Sequence, residues 1–315
     1  MAQDAWRGAG AAHRGLARRL DLTTLRLFLA VHEEGTLTRA AEREAIALSA
    51  ASKRLLELEQ AVNAALFVRK PRGMALTPAG ETLLHHARLV LRDIDNIGIE
   101  LAEHASGLRG YIRMTANLSA IVEYLPEDLR DFLARHERIK IELGERPSPG
   151  VVAAVADSLA DLGICASDAD TRGLHTAHYR QDRLVLVVPA NHALAGRPRV
   201  AFAQTLDSDY VGLHADSSIN VRIHLAARQA GRPLRLRIHV PGFDAVCRMV
   251  QTGMGISVLP YNVFTAIGRP LGLASVALED AWAQRALLLV VRELAALSPV
   301  SRMLFEHLRQ VEPGT

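Results

Sequence analysis

Four polar side chains lie close together in the stretch ALSAASKRLLELE at 47–59: Ser49, Ser52, Lys53 and Arg54. Their types and spacing could do chemistry. At about 100° per residue, Leu48, Ala51, Leu55, Leu58 and Val62 share one face of a helix. Ser49, Ala50, Lys53, Glu57 and Gln60 lie opposite, with Ser52 and Arg54 at the boundary. The leucine face is expected to pack, which leaves small, hydroxyl-bearing and cationic side chains pointing outward. That combination suits the major groove of a duplex. Small residues let the backbone approach, Lys53 and Arg54 reach phosphate or guanine edges, and serine hydroxyls serve either. A solvated surface helix that happens to carry two cations has the same pattern, because charged outward faces are ordinary.

Other chemistries lack their constellations. The chain has 13 histidines, yet no HExxH or paired Cys/His spacing occurs, and adjacent His85 and His86 are expected on different helix faces. GMGISVLP at 253–260 lacks the third glycine and the preceding strand of a dinucleotide fingerprint, and neither GxSxG nor a phosphate-loop lysine motif is present. Cys165 and Cys247 are far apart in apolar company and read as buried small hydrophobes. No catalytic residue, metal or cofactor is expected.

At 315 residues, 49% hydrophobic and 23% charged, the chain suits two or three globular domains with cores of their own. No apolar run reaches the roughly 18 residues of a membrane span, and the N-terminus lacks the apolar core of a signal peptide, so a cytoplasmic location is expected. Net charge is only +3. Its distribution says more, since the first 80 residues hold 12 Lys/Arg against 8 Asp/Glu, including the cluster Arg69-Lys70-Pro71-Arg72.

The elements that must position these residues follow from local signals. Residues 1–20 have no sustained apolar face and are expected to form a mobile tail. Asp21 is a plausible N-cap for a helix with the apolar stripe Leu25, Phe28, Leu29 and Val31, ending at Gly35. Thr36 opens a second helix, and the 48–62 helix is the third. Three short helices joined by short turns look like a helix-turn-helix bundle. LFVRKPRGMALT then suits a hairpin, or wing, and Thr77-Pro78 starts another helix. Along that helix Leu84, Ala87, Leu91, Ile94, Gly98, Leu101, Ala105 and Leu108 recur at three- and four-residue steps. This heptad seam wants a second copy of itself as partner, although an amphipathic helix lying on its own C-terminal domain has the same spacing. Beyond 109, strand-like runs (YIRMTA, IKIELGE, DLGICAS, RLVLVVPA, RALLLVVR) alternate with helical patterns at 125–135, 151–159, 218–230 and 243–252, the signature of an α/β domain in two lobes.

Taken together, LRLFLAVHEEGTLTRAAE, SAASKRLLELE, LFVR and RGMALTPAGETLL resemble the N-terminal domain of the LysR-type transcriptional regulators. LADLGI, LVLVVPANHALAG, VQTGMGISVLP and ALLLVVR resemble their effector-binding domain. The resemblance implies an α/β multidomain protein: a winged helix-turn-helix at 21–77, a dimerising linker helix at 78–108, and a two-lobed periplasmic-binding-protein-like domain at 109–315. The lobes would be about 110–182 plus 288–315 and about 183–287. It further implies double-stranded DNA with an interrupted inverted-repeat operator as partner, self-association as a dimer and then a tetramer, and a non-covalent small-molecule effector. By the same resemblance Thr36, Thr38, Ser49, Ser52, Lys53, Arg69 and Arg72 match DNA-contact positions, to which the helical reading adds Arg54. Asn117 and Ser119 match the effector-binding turn, and Ser148, His214, Ser217 and Ser218 complete the ring. N-caps and turn residues without a ligand would look the same. The family often places Ser-Gln where this chain has Ala47 and Leu48, so a glutamine able to read adenine is absent. Two other classes stay open at this stage: a small-molecule-binding protein whose N-terminal helices serve only assembly, and an enzyme on the same two-lobed fold.

Overall fold

The computed structural model describes residues 20–71, 73–106 and 110–310; near the end of the helix that closes at Ser106, only the backbone is described. The expected tail up to Arg19, Arg72 and Leu108 lie outside the described residues. Two compact units part between Ala102 and Glu103.

The first unit holds α1 (Leu22–Glu34), α2 (Leu37–Arg43) and α3 (Leu48–Val62), then a hairpin of β1 (Phe67–Lys70) and β2 (Gly73–Leu76), then all but the last four residues of α4 (Pro78–Ser106). The starts follow the local signals: Asp21 accepts the Thr24 amide at 2.7 Å, Thr36 the Arg39 amide at 3.3 Å, and Thr77 the Gly80 amide at 3.0 Å. Gly35 ends α1 in the left-handed region at φ 70°, and its carbonyl accepts the Met74 amide at 2.7 Å. A Cβ on Gly73, itself at φ 125°, would sit 2.4 Å from that same carbonyl oxygen, so this close approach requires glycine. Glu59 of α3 accepts the Leu66 amide at 2.8 Å and fixes the start of the hairpin. Leu27, Phe28, Val31, Leu58 and Leu66 form the buried centre. Each such side chain contributes roughly 1.5–3 kcal/mol by leaving water.

The heptad spacing of α4 has two outcomes along its length. Leu84, Ala87 and Leu91 of the seam pack onto the core of their own unit, whereas Ile94 of the seam is 38% exposed, as are Val90 and Ile97 beside it at 45% and 52%. The side chains of Leu101 and Ala105 are not described. The rings of His85 and His86, expected on separate faces, meet edge-on with centroids 5.3 Å apart.

In the second unit, β3 (Gly110–Ala116) lies parallel between β4 (Ile139–Glu145) and β5 (Leu162–Ala166), and β12 (Gln284–Val291) runs antiparallel to β5. The strand β6 (His175–Pro189) starts eight residues before the apolar run RLVLVVP. Its polar first half pairs with β12, and its apolar second half pairs with β10 (Ser257–Pro260) and β11 (Leu273–Leu278). One strand therefore serves two hydrophobic cores. The first core takes residues from Ile112 to Tyr179 and from Leu287 to Leu308, including α11 (Pro299–Gln310); the second takes Leu184 to Ala283. Leu287, expected in the second lobe, belongs to the first core. Helices α5 (Leu118–Glu123), α6 (Leu125–Arg135) and α7 (Ser148–Ala156) belong to the first lobe. The second lobe holds β7 (Arg199–Val200), β8 (Tyr210–Leu213), α8 (Ser218–Gln229), β9 (Leu236–Val240), α9 (Phe243–Gln251) and the short α10 (Tyr261–Val263). Helix α7 begins three residues earlier than its apolar spacing suggests, because a proline is tolerated in a first turn. Both cysteines are fully buried, and burial pushes the Cys165 thiol up to about 12 and the Cys247 thiol up to about 11.

Candidate nucleic-acid interface and ligand cleft

On α3, Ala51, Leu55 and Leu58 are buried, while Ser49, Ser52 and Lys53 are exposed, Lys53 to 76%. The helical reading fails at one residue: Leu48, expected on the packed face, is 47% exposed. Ala47 supplies no side-chain cap, and all four residues 47–50 are exposed. A broad groove runs between the start of α2, α3 and the hairpin, and brings Thr36, Ser52 and Arg69 to one place. Thr38, Ser49 and Lys53 are exposed outside that groove. Arg54 is engaged elsewhere. Its Nη1 donates to Asp21 Oδ2 at 2.9 Å and Thr24 Oγ1 at 3.1 Å, which ties α3 to the start of α1.

In the second unit, Asn117, Ser119, Ser148, His214, Ser217 and Ser218 all line one narrow cleft between the two cores. The first three come from one lobe and the last three from the other. Several also do structural work. Asn117 caps α5, its Oδ1 accepting the Ala120 amide at 3.0 Å, and its Nδ2 donates to Ser148 Oγ at 3.3 Å. Ser148 Oγ also accepts the Ala166 amide at 3.0 Å. Ser217 caps α8 through the Asn220 amide at 3.1 Å, and His214 Nδ1 lies 2.6 Å from Asp216 Oδ1. Glu145 and Arg146 add one charge of each sign to the lining.

Arg285 and Asp182 escaped the sequence reading. Facing each other across β12 and β6, they are 0% and 1% exposed, and Nε of Arg285 donates to Asp182 Oδ2 at 2.5 Å. The same guanidinium donates to Ser119 Oγ at 2.6 Å and Ser218 Oγ at 3.0 Å, so it joins the serines of both lobes at the base of the cavity. One signal was available: opposite charges stand at the heads of two apolar runs, DRLVLVV and RALLLVV. A second link between the lobes is the Arg222–Asp168 ion pair at 3.0 Å.

Glu123, at the end of α5, lies beside this pair. Burial, reinforced by the Asp182 carboxylate and opposed by Arg285, pushes its carboxyl from about 4.5 up to about 9. The folded chain keeps a proton there that the unfolded chain releases, so this group makes stability fall as pH rises from about 4.5 to about 9. A Glu123→Gln chain is expected to lose that slope and to gain most in melting temperature at pH 8–9. Parallel melting curves at pH 6 and 9 with the same loss in both proteins would refute this.

A winged helix-turn-helix followed by a two-lobed α/β domain with a polar cleft defines a DNA-binding regulator that responds to a small molecule. Residues 22–81 match the family model described as bacterial regulatory helix-turn-helix protein, lysR family, and residues 105–313 match the LysR substrate binding domain. The chain belongs to the LysR family: it is a DNA-binding transcriptional regulator with an effector-binding domain. It is 27% identical to the HTH-type transcriptional regulator AlsR of Bacillus subtilis over 76% of this chain and 80% of that protein. It is 25% identical to the RuBisCO operon transcriptional regulator of Allochromatium vinosum over 90% and 93%. The fold is similar to that of full-length CbnR complexed with its target DNA, with a TM-score of 0.63 and 21% identity, over 92% of this chain and 99% of that one. No helix among the described residues is long and apolar enough to cross a membrane.

Proposed function

We propose that α3 enters the major groove with Ser49, Ser52 and Lys53 toward the DNA, while Thr36 and Thr38 of α2 and Arg69 and Arg72 of the wing reach phosphates. Arg54 acts through α1, holding the reading helix in place rather than touching the duplex. Exposed Val90, Ile94 and Ile97 of α4 are the surface through which two chains pair, and pairs assemble further into a tetramer. Two reading helices related by a two-fold axis call for an interrupted inverted repeat. The protein works in the cytoplasm, and its cleft binds without catalysing a reaction.

The effector is a small anionic or polar molecule held between the lobes, with Asn117 and Ser119 at one wall and His214, Ser217 and Ser218 at the other. The observation that carries this reading is the convergence of six residues from both lobes on one cavity. Calorimetry with a panel of small carboxylates and phosphates tests it. A ligand of the wild-type protein is expected to bind Ser119→Ala and His214→Ala about tenfold or more weakly, the cost of a lost polar contact in a closed site. Equal affinity for both variants, each melting as wild type, would overturn the placement.

A further inference from the structure

The exposed leucine at the head of α3 is the feature that neither packing nor the contacts above explain. Ala51, Leu55 and Leu58 fill the bundle core, and Leu56, the other exposed leucine of this helix, lines the groove beside the hairpin with Phe67 and Met74. Leu48 does neither. It stands 47% exposed in the first turn, one helical turn before Ser52 and beside exposed Ala47, Ser49 and Ala50. In a helix that reads DNA with its N-terminal residues, this turn lies among the base edges.

We propose that Leu48 reads the C5-methyl group of a thymine, so that each half-site carries one position where thymine is selected by apolar contact. The inference rests on α3 being the reading helix. A leucine offers no hydrogen bond, so it cannot recognise the donor and acceptor pattern of adenine or guanine. The thymine methyl is the one apolar group that a base pair displays in the major groove. The neighbouring side chains at 47, 49 and 50 are small and uncharged, which lets the backbone come close enough for a four-carbon side chain to touch a base. Burying a methyl against methyls removes apolar area from both partners, and the unbound protein keeps that leucine in water.

The test uses the full-length protein and a duplex selected by it from a randomised library. Each thymine is replaced in turn by deoxyuridine, which removes the methyl and leaves base pairing intact. Wild type is expected to bind about 3- to 10-fold more weakly when one particular thymine of a half-site is replaced, the effect of one buried methyl group. Leu48→Ala should bind the thymine and uracil duplexes alike at that position, while keeping the wild-type dependence on salt. Because the side chain is exposed, the variant is expected to melt as wild type. A wild-type protein indifferent to every uracil, or a Leu48→Ala protein as sensitive as wild type, would overturn the proposal. Lys53→Ala separates the two levels of argument. If Lys53→Ala binds the selected duplex as tightly as wild type, the assignment of α3 falls and the leucine proposal with it. If it binds weakly while the uracil response of Leu48→Ala is unchanged, only the leucine proposal falls.

Discussion

An Arg285→Ala protein is expected to lose about 3–5 kcal/mol of stability in its C-terminal unit, the cost of leaving a buried charge without its partner. Asp182 is 1% exposed and its carboxylate would face a cavity instead of a guanidinium, while Ser119 and Ser218 would both lose their donor. Arg285→Lys should recover little of the loss, since one ammonium cannot span Asp182 and two serines in different lobes. Arg285→Met with Asp182→Asn should be milder than Arg285→Ala alone, because no buried charge remains. Denaturant unfolding followed by circular dichroism measures the effect. A midpoint for Arg285→Ala within experimental scatter of wild type would show that the pair does not hold the lobes together. The prediction bears on function as well as stability. This residue touches the cavity's serines from both sides, so weakening it should loosen effector binding even where the fold survives.

The second large effect concerns DNA. For Lys53→Ala/Arg69→Ala, the slope of log affinity against log salt should become shallower by about 4, roughly one unit for each of the two cationic contacts removed from each chain of the DNA-bound pair. Affinity at physiological salt should fall about 10- to 100-fold. Both side chains are exposed and, among the described residues, Lys53 has Glu57, 3.9 Å away, as its ion-pair partner, so stability should change little. Arg54→Ala provides the contrast. Its guanidinium is spent on Asp21 and Thr24, so its substitution should lower the melting temperature of the first unit and leave the salt slope near wild type. Gel-shift titrations at several salt concentrations distinguish the two patterns. An unchanged slope for the double variant would remove Lys53 and Arg69 from the interface.

Much of the fold was legible in the sequence because its signals are local. The 48–62 helix, the caps at Asp21, Thr36 and Thr77, and the glycine stop at 35 each depend on a few neighbouring residues, and all appear where local chemistry places them. The six polar residues that line the cleft followed from resemblance to a family, residue by residue, and they come together in space. That a small molecule binds there is the proposal built on this meeting.

What escaped the sequence depends on where other elements end. Helical spacing states which residues share a face, and by that rule Leu48 belongs with Ala51 and Leu55. Whether a face is covered depends on how far the neighbouring helices extend, and among the described residues they cover Ala51 but leave Leu48 exposed. The polar stretch before RLVLVVP carries no strand signal of its own. It becomes strand because β12 lies alongside and satisfies its backbone, which makes one 15-residue strand common to both lobes. Arg285 and Asp182 are 103 positions apart. Each looks like an ordinary charge at the head of an apolar run, and only the antiparallel register brings them face to face. The sequence by itself determined the elements of the N-terminal unit, the two-part architecture and the side chains available for DNA and for the cleft, whereas β8 to β11, α5 and α11 carried no signal that was read from it. Tertiary structure alone decided which side chains were buried, paired or left free, because burial and pairing are properties of neighbours that one segment does not contain.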